Sequence, residues 1–147
     1  MKVLPFQIPK PEHDALIYQI DKEIIFYDKF HQHEEIQLSF IVNGEGNLVV
    51  GDTINTYETG DILVIGSHLP HVFISSSKGD QQSYMLTLFF TKQSFGESFF
   101  NLEELNEIKP FFDRSKYGFK LKSNLEGIRN LFLRLEETSK LNRFIIL

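Results

Sequence analysis

The sequence has no cysteine and no tryptophan, only two methionines and five prolines, and no uninterrupted apolar run of membrane-spanning length. Without cysteine there is no disulfide framework, no thiolate metal site and no cysteine nucleophile, which leaves histidine, aspartate and glutamate as metal-ligating side chains. A thiol-free chain without disulfides is expected inside the cell. A membrane helix needs about 20 apolar residues in succession, and the opening MKVLPFQIPKPEHD lacks the apolar core of a signal peptide. The expectation is a cytoplasmic protein that makes no use of a membrane. Basic residues are also scarce, 15 Lys and Arg against 20 Asp and Glu for a formal charge of −5. That balance opposes attraction to phosphate backbones, so this segment is not expected to grip nucleic acid directly.

Phenylalanine, by contrast, is abundant, with fifteen residues in a chain of 147. Together with Ile, Val and Tyr it suits a pleated, half-buried surface. The length corresponds to one domain, and 41% hydrophobic with 24% charged residues is globular composition. From about Ile24 to Phe90, β-branched and aromatic segments alternate with Gly, Asn and Asp turns, the pattern of an antiparallel sandwich or barrel. Strands are predicted over Ile36–Val42, Asn47–Val50, Thr53–Tyr57, Ile62–Ile65, His71–Ile74 and Tyr84–Phe90. Asn43-Gly44-Glu45-Gly46, Gly51-Asp52 and Thr59-Gly60-Asp61 form the turns between them. Closure into a small barrel or jelly roll hides the edges of such strands.

Beyond Thr91 the spacing becomes helical. Leu102, Leu105 and Ile108 recur every third residue, Pro110-Phe111-Phe112 opens a further turn, and Gly118 is a stop. Asn124 is then the expected N-cap of an amphipathic helix with Leu125, Ile128, Leu131, Phe132 and Leu135 on one face. That face is expected either to pack on the barrel or to join two subunits. The last residues, Phe144-Ile145-Ile146-Leu147, are apolar and uncapped, as expected of a chain cut from a longer protein. The resulting division is an N-terminal arm over 1–20, a barrel over 21–92 and a helical segment for packing or dimerisation over 93–147.

Three histidines stand out. His31 and His33 are two residues apart, so on a strand they share a face, and His71 opens another strand about forty residues later. Three imidazoles around an open position are what a Zn²⁺ or non-haem iron site requires. Glu34 and Glu35 are adjacent and face opposite ways, so at most one of them meets a pocket. His68 is an exposed loop residue on this reading, and His13 belongs to the arm.

The stretch from His31-Gln32-His33-Glu34-Glu35-Ile36-Gln37 to Asn43-Gly44-Glu45-Gly46, with Gly60-Asp61-Ile62-Leu63-Val64-Ile65 and Pro70-His71, resembles the two motifs of the cupin barrels. In metal-binding cupins these motifs supply two histidines and a glutamate, then a third histidine. His31, His33 and His71 match the histidines, Gln37 stands in the place of the glutamate, and Gly66 and His68 stand where Pro and Gly are usual. Val42 to Gly46, Gly60-Asp61 with Ile65-Gly66, Leu69-Pro70-His71-Val72 and Leu88-Phe89-Phe90 before helices are more narrowly similar to the N-terminal domain of AraC-type bacterial transcription regulators. The resemblance implies a cupin barrel that senses a small molecule, often a sugar, without catalysis. It also implies a homodimer formed through Leu125, Ile128, Leu131, Phe132 and Leu135, and DNA binding only by a C-terminal domain absent from this chain. A polar ligand would then bind His31, His33, Gln37 and His71. No cofactor is expected, since Gln37 brings no anionic charge to a cation. The alternative is a small metal-dependent cupin, an isomerase or dioxygenase, in which His31, His33 and His71 hold Fe²⁺, Mn²⁺ or Zn²⁺.

Overall fold

The computed structural model describes residues 2–9, 15–76 and 82–147. His13 of the arm and most of the polar connection between Ser75 and Gln82 lie outside the described residues. Among the described residues, nine strands precede residue 91: β1 (Leu4–Pro5), β2 (Ile17–Glu23), β3 (His31–Gln32), β4 (Ile36–Asn43), β5 (Gly46–Val50), β6 (Thr53–Tyr57), β7 (Ile62–Ile65), β8 (His71–Ser75) and β9 (Ser83–Phe90). They form two facing sheets, β1-β3-β8-β5-β6 and β10-β7-β4-β9-β2, where β10 is Phe119–Lys120. All described pairings are antiparallel except β1 with β3. The chain is therefore mostly β, a cupin-like jelly roll of two sheets followed by helices, and the described strands do not close into one ring.

The six predicted strands are present within a residue at each end, because alternation and turn chemistry agree there. The strand over Ile17–Glu23 was not expected. Its IYQIDKE sequence carries four charged or amide side chains, and it holds its place by pairing along seven residues of β9. Between the sheets lies a core of Phe26, Ile41, Leu48, Val50, Tyr57, Leu63, Ile65, Phe73 and Met85. All four residues of β7 are buried, since the helices cover the outer face of its sheet. A strand buried on both faces reads as a continuous apolar run, as Ile62-Leu63-Val64-Ile65 does.

The helical segment comprises α1 (Lys109–Ser115), α2 (Leu125–Arg134) and α3 (Lys140–Ile146), with 3-10 turns over Phe99–Asn101, Glu103–Ile108 and Leu135–Glu137. Pro110 lies in the first turn of α1, where its missing N–H costs nothing. Asn124 precedes α2 but does not cap it: its φ of 55° is left-handed, and its side chain makes no capping bond. A capping side chain needs an extended backbone at that position to reach the next amides.

Leu125, Ile128, Phe132 and Leu135 pack against Phe40, Ile62, Leu86 and Leu88 on the outer sheet face. Four of the five residues assigned to a dimer interface thus meet the barrel, while Leu131 is half-buried. A second tether sits at the β6–β7 turn, where Arg129 Nε donates to the Gly60 carbonyl at 2.7 Å. Gly60 has φ +97°, which favours glycine, and a Cβ there would stand 2.8 Å from the Arg129 guanidinium and push that side chain aside. The apolar end of the sequence forms α3, with Ile146 packed on the same cluster and the Phe144 ring 4.8 Å from that of Phe95.

Candidate metal and ligand site

His31 and His71 are direct cross-strand partners of β3 and β8, and His33 follows two residues after His31. The three rings meet between the sheets, with centroids 4.3 Å apart for His31 and His71, 5.0 Å for His33 and His71, and 5.8 Å for His31 and His33. All three are buried. Their available nitrogens lie within 4.8 Å of one another.

The hydrogen bonds fix which nitrogens face inward. Each Nδ1 lies against a backbone carbonyl: His31 on Lys29 at 2.6 Å, His33 on Glu35 at 2.9 Å and His71 on Leu69 at 2.8 Å. A carbonyl only accepts, so each Nδ1 carries the proton and each Nε2 a lone pair. This is how ligating histidines are held in metal proteins, with the far N–H donated to a backbone carbonyl. Burial pushes all three imidazoles below their ordinary pKa, His71 to about 3; the neighbouring cluster rings lower His31 and His71 further, and His68 lowers His33, while the hydrogen bonds act the other way. They are neutral at physiological pH, the form that binds metal.

Nε2 of His71 is buried and has no hydrogen-bond partner. Leaving a buried polar atom unsatisfied costs about 1–3 kcal/mol. The donor set therefore fits a divalent transition-metal ion, which would satisfy that atom. Two ligands at the tetrahedral angle on one ion with bonds of about 2.1 Å lie about 3.4 Å apart, so a pair 4.8 Å apart would close by somewhat more than an ångström as the rings turn onto the ion.

Gln37, on the inward face of β4, places Oε1 3.1 Å from His33 Nε2, and its Nε2 donates to Ser39 Oγ at 2.9 Å. Ser39 Oγ in turn lies 2.9 Å from Thr87 Oγ1. The four expected ligand-binding residues, His31, His33, Gln37 and His71, are thus in one place. Together they line a cavity of about 80 Å³ walled by Phe6, Ile8, Phe26, Tyr27, Phe73 and Phe89, with Gln19, Asp21 and Glu23 of β2 at its edge. Ligand pockets usually begin near 300 Å³, so this space suits an ion with a few small groups rather than a whole sugar. Larger grooves of about 320 and 330 Å³ open between β6 and β10 and beside His68, but neither contains the histidine cluster.

Glu34 is exposed, whereas Glu35 turns inward with its carboxylate 4.0 Å from His33 Nδ1, on the far side of the ring from the cluster. His68 is exposed, and its N–H bonds the His33 carbonyl at 2.7 Å. Sequence reasoning missed Phe6 and Ile8 of the N-terminal segment, and also Ser39 and Thr87. β1 docks beside β3 through Leu4 N–H to Phe30 O and Phe6 N–H to Gln32 O, which carries Phe6 over the His31 ring. For Ser39 a signal existed: in Gln37-Leu38-Ser39-Phe40 the polar residues take one face and the apolar ones the other.

Residues 27–88 match the Cupin domain family. No curated protein matches the chain. Among solved structures, a lysine-to-alanine variant of apo ToxT from Vibrio cholerae strain SCE256 is 11% identical, with a TM-score of 0.57, covering 90% of this chain and 52% of that one. The iron(II) form of HppE in complex with substrate is 21% identical, with a TM-score of 0.44 and coverage of 52% and 46%. A serine-to-alanine variant of oxalate decarboxylase OxdC from Bacillus subtilis is 18% identical, with a TM-score of 0.46 and coverage of 78% and 36%. The chain spans about half the length of ToxT and HppE and about a third of OxdC. Identities this low speak to the fold alone. The expectation of a domain without catalysis is corrected by the histidine cluster: three buried imidazoles disposed to hold a metal ion remove the ground for excluding an enzyme.

Proposed function

We propose that this domain holds a divalent transition-metal ion on His31, His33 and His71 and recognises a small ligand at that centre, as the sensing and dimerisation part of an AraC-type transcription regulator. The observation that carries the metal is the convergence of three neutral Nε2 lone pairs, with that of His71 buried and unsatisfied. The regulator assignment draws support from the wording of the motifs and from a fold shared with ToxT over 90% of the chain, helices included.

When bound, such an ion supplies a Lewis-acidic point that polarises an oxygen or nitrogen of the ligand. The chain's own residues do the rest. Backbone carbonyls of Lys29, Glu35 and Leu69 hold the imidazoles in the ligating tautomer. Phe26, Phe73 and Phe89 exclude water, which strengthens every polar contact made inside. Phe6 and Ile8 of the N-terminal segment are among the walls of the cavity, so a ligand larger than about 80 Å³ is accommodated by displacing wall residues such as these. That displacement couples occupancy to chain conformation, since a ligand shifts an equilibrium only by binding one state better. Homodimerisation would use the part of α2 that the barrel leaves outward, beginning with Leu131.

A second reading, a metal-dependent isomerase or dioxygenase, is favoured by the cavity that adjoins the cluster on one side. Metal analysis of the whole chain purified without chelator tests what both readings share. Close to one metal ion per chain, lost in His71→Ala, is expected; a metal-free wild type after incubation with Fe²⁺, Mn²⁺ and Zn²⁺ overturns both. Turnover of a bound small molecule by the loaded protein, rather than stoichiometric binding, decides for the enzyme.

A further inference from the structure

Gln37 stands at the end of a buried row. Its Nε2 meets Ser39 Oγ, and Ser39 Oγ meets Thr87 Oγ1, each at 2.9 Å. Ser39 and Thr87 are cross-strand partners on β4 and β9, and both are fully buried. At the other end, Gln37 Oε1 lies 3.1 Å from His33 Nε2. His33 Nδ1 already donates to the Glu35 carbonyl, so Oε1 and Nε2 are two lone-pair atoms facing each other with no proton between them.

Such a pair repels unless a cation shares both atoms or the amide turns over. Two ligands at right angles on one ion with bonds of about 2.1 Å lie about 3 Å apart, close to the spacing seen. Turned over, the amide would donate from Nε2 to His33 and accept at Oε1 from the Ser39 hydroxyl, which would accept from Thr87. A hydroxyl both donates and accepts and is free to rotate, so the row runs in either direction on the same heavy-atom positions. A glutamate at position 37 could not use it this way, because a carboxylate only accepts.

We propose that Ser39 and Thr87 are positioning residues: a reversible hydroxyl row that lets Gln37 turn its carbonyl oxygen to a bound cation and its amide N–H to His33 when the cation leaves. The proposal rests on the metal centre proposed above. Its content is different: Gln37 is a fourth, neutral ligand whose orientation is set from behind.

The test uses Co²⁺ with the whole chain, reading affinity by titration calorimetry and the ligand set by visible d–d absorption. Wild type is expected to bind one Co²⁺, and Gln37→Leu to alter the absorption. Ser39→Ala and Thr87→Val should alter it in the same sense and weaken binding by about tenfold to a hundredfold, the usual effect of removing a group that orients a ligand. Thr87→Ser, which keeps the hydroxyl, should retain the wild-type spectrum and affinity, and circular dichroism identifies the variants that fold. No Co²⁺ binding by wild type overturns the metal centre itself. Binding by wild type together with unchanged spectra and affinities in folded Ser39→Ala and Thr87→Val overturns the row and leaves the centre standing.

Discussion

Acidification should destabilise this domain through its histidines, and His71 sets the scale. Its pKa is pushed to about 3 by burial, with the Leu69 carbonyl acting the other way and His31 and His33 adding to the depression. In the unfolded chain the same imidazole titrates near 6.5. Between those values the unfolded state binds the proton and the folded state does not, so stability falls as pH drops through 6.5 and goes on falling to about 3. At pH 5 the proton on the unfolded chain is worth about 2 kcal/mol from His71 alone. His31 and His33 are shifted in the same direction and add to it. Against a total stability of about 5–15 kcal/mol that is a large fraction. Melting of the metal-free protein, followed by circular dichroism, should drop by roughly 4–8 °C between pH 7.5 and pH 5 on account of His71. His71→Asn removes that titration while keeping a polar, uncharged side chain, and comparison with wild type cancels opposing groups such as Asp21, whose pKa is raised by burial. Parallel pH dependences in wild type and His71→Asn would show that His71 is protonated in the fold, and the neutral-imidazole argument for the site would fail.

Two further predictions concern the helices. Phe132 is 5% exposed against Phe40, whereas Leu133, next in sequence, is 51% exposed. Phe132→Ala should therefore cost about 3–5 kcal/mol in urea unfolding and Leu133→Ala less than about 0.5; similar losses would mean that α2 is not docked on the sheet as described. For association, Leu131→Asp should shift a dimer towards monomer in sedimentation without loss of helix signal, and a monomeric wild type ends the proposal that α2 joins two subunits.

The strands of the barrel were legible because two signals coincided in each: period-two alternation, as in Gln37 to Ile41, and a turn rich in Gly, Asn or Asp at the end. His31 and His33 were legible as a pair because extended residues two apart share a face, and His71 as the residue that opens a strand. β2 was not, since Gln19, Asp21 and Lys22 give it no apolar alternation, and pairing with β9 overrides that weak propensity. β1 was hidden for a related reason: two residues hold a strand only when a neighbour such as β3 supplies the hydrogen bonds. The packing of α2 was visible as an apolar face, but a face does not state what it meets. Asn124 shows how a residue type is read as a cap while its left-handed backbone forbids it.

The substitution of Gln37 for a carboxylate changes what an empty site costs. A glutamate in an apolar space of about 80 Å³ beside Phe89 would need a proton or a counter-cation once the metal left, because an unpaired buried charge is expensive. A neutral amide carries no such penalty, and hydroxyls that reverse direction can keep it hydrogen-bonded in both states. The depressed imidazole pKa values act alike: near neutral pH no proton competes for the nitrogens, so loading depends on the ion and ligand rather than on pH. On the proposed reading, then, the neutral donor set weakens metal affinity and in the same step makes the loaded and empty states comparable in stability. A site whose occupancy carries information needs both to be populated, whereas a centre that keeps its metal permanently gains from the negative charge that a glutamate would supply.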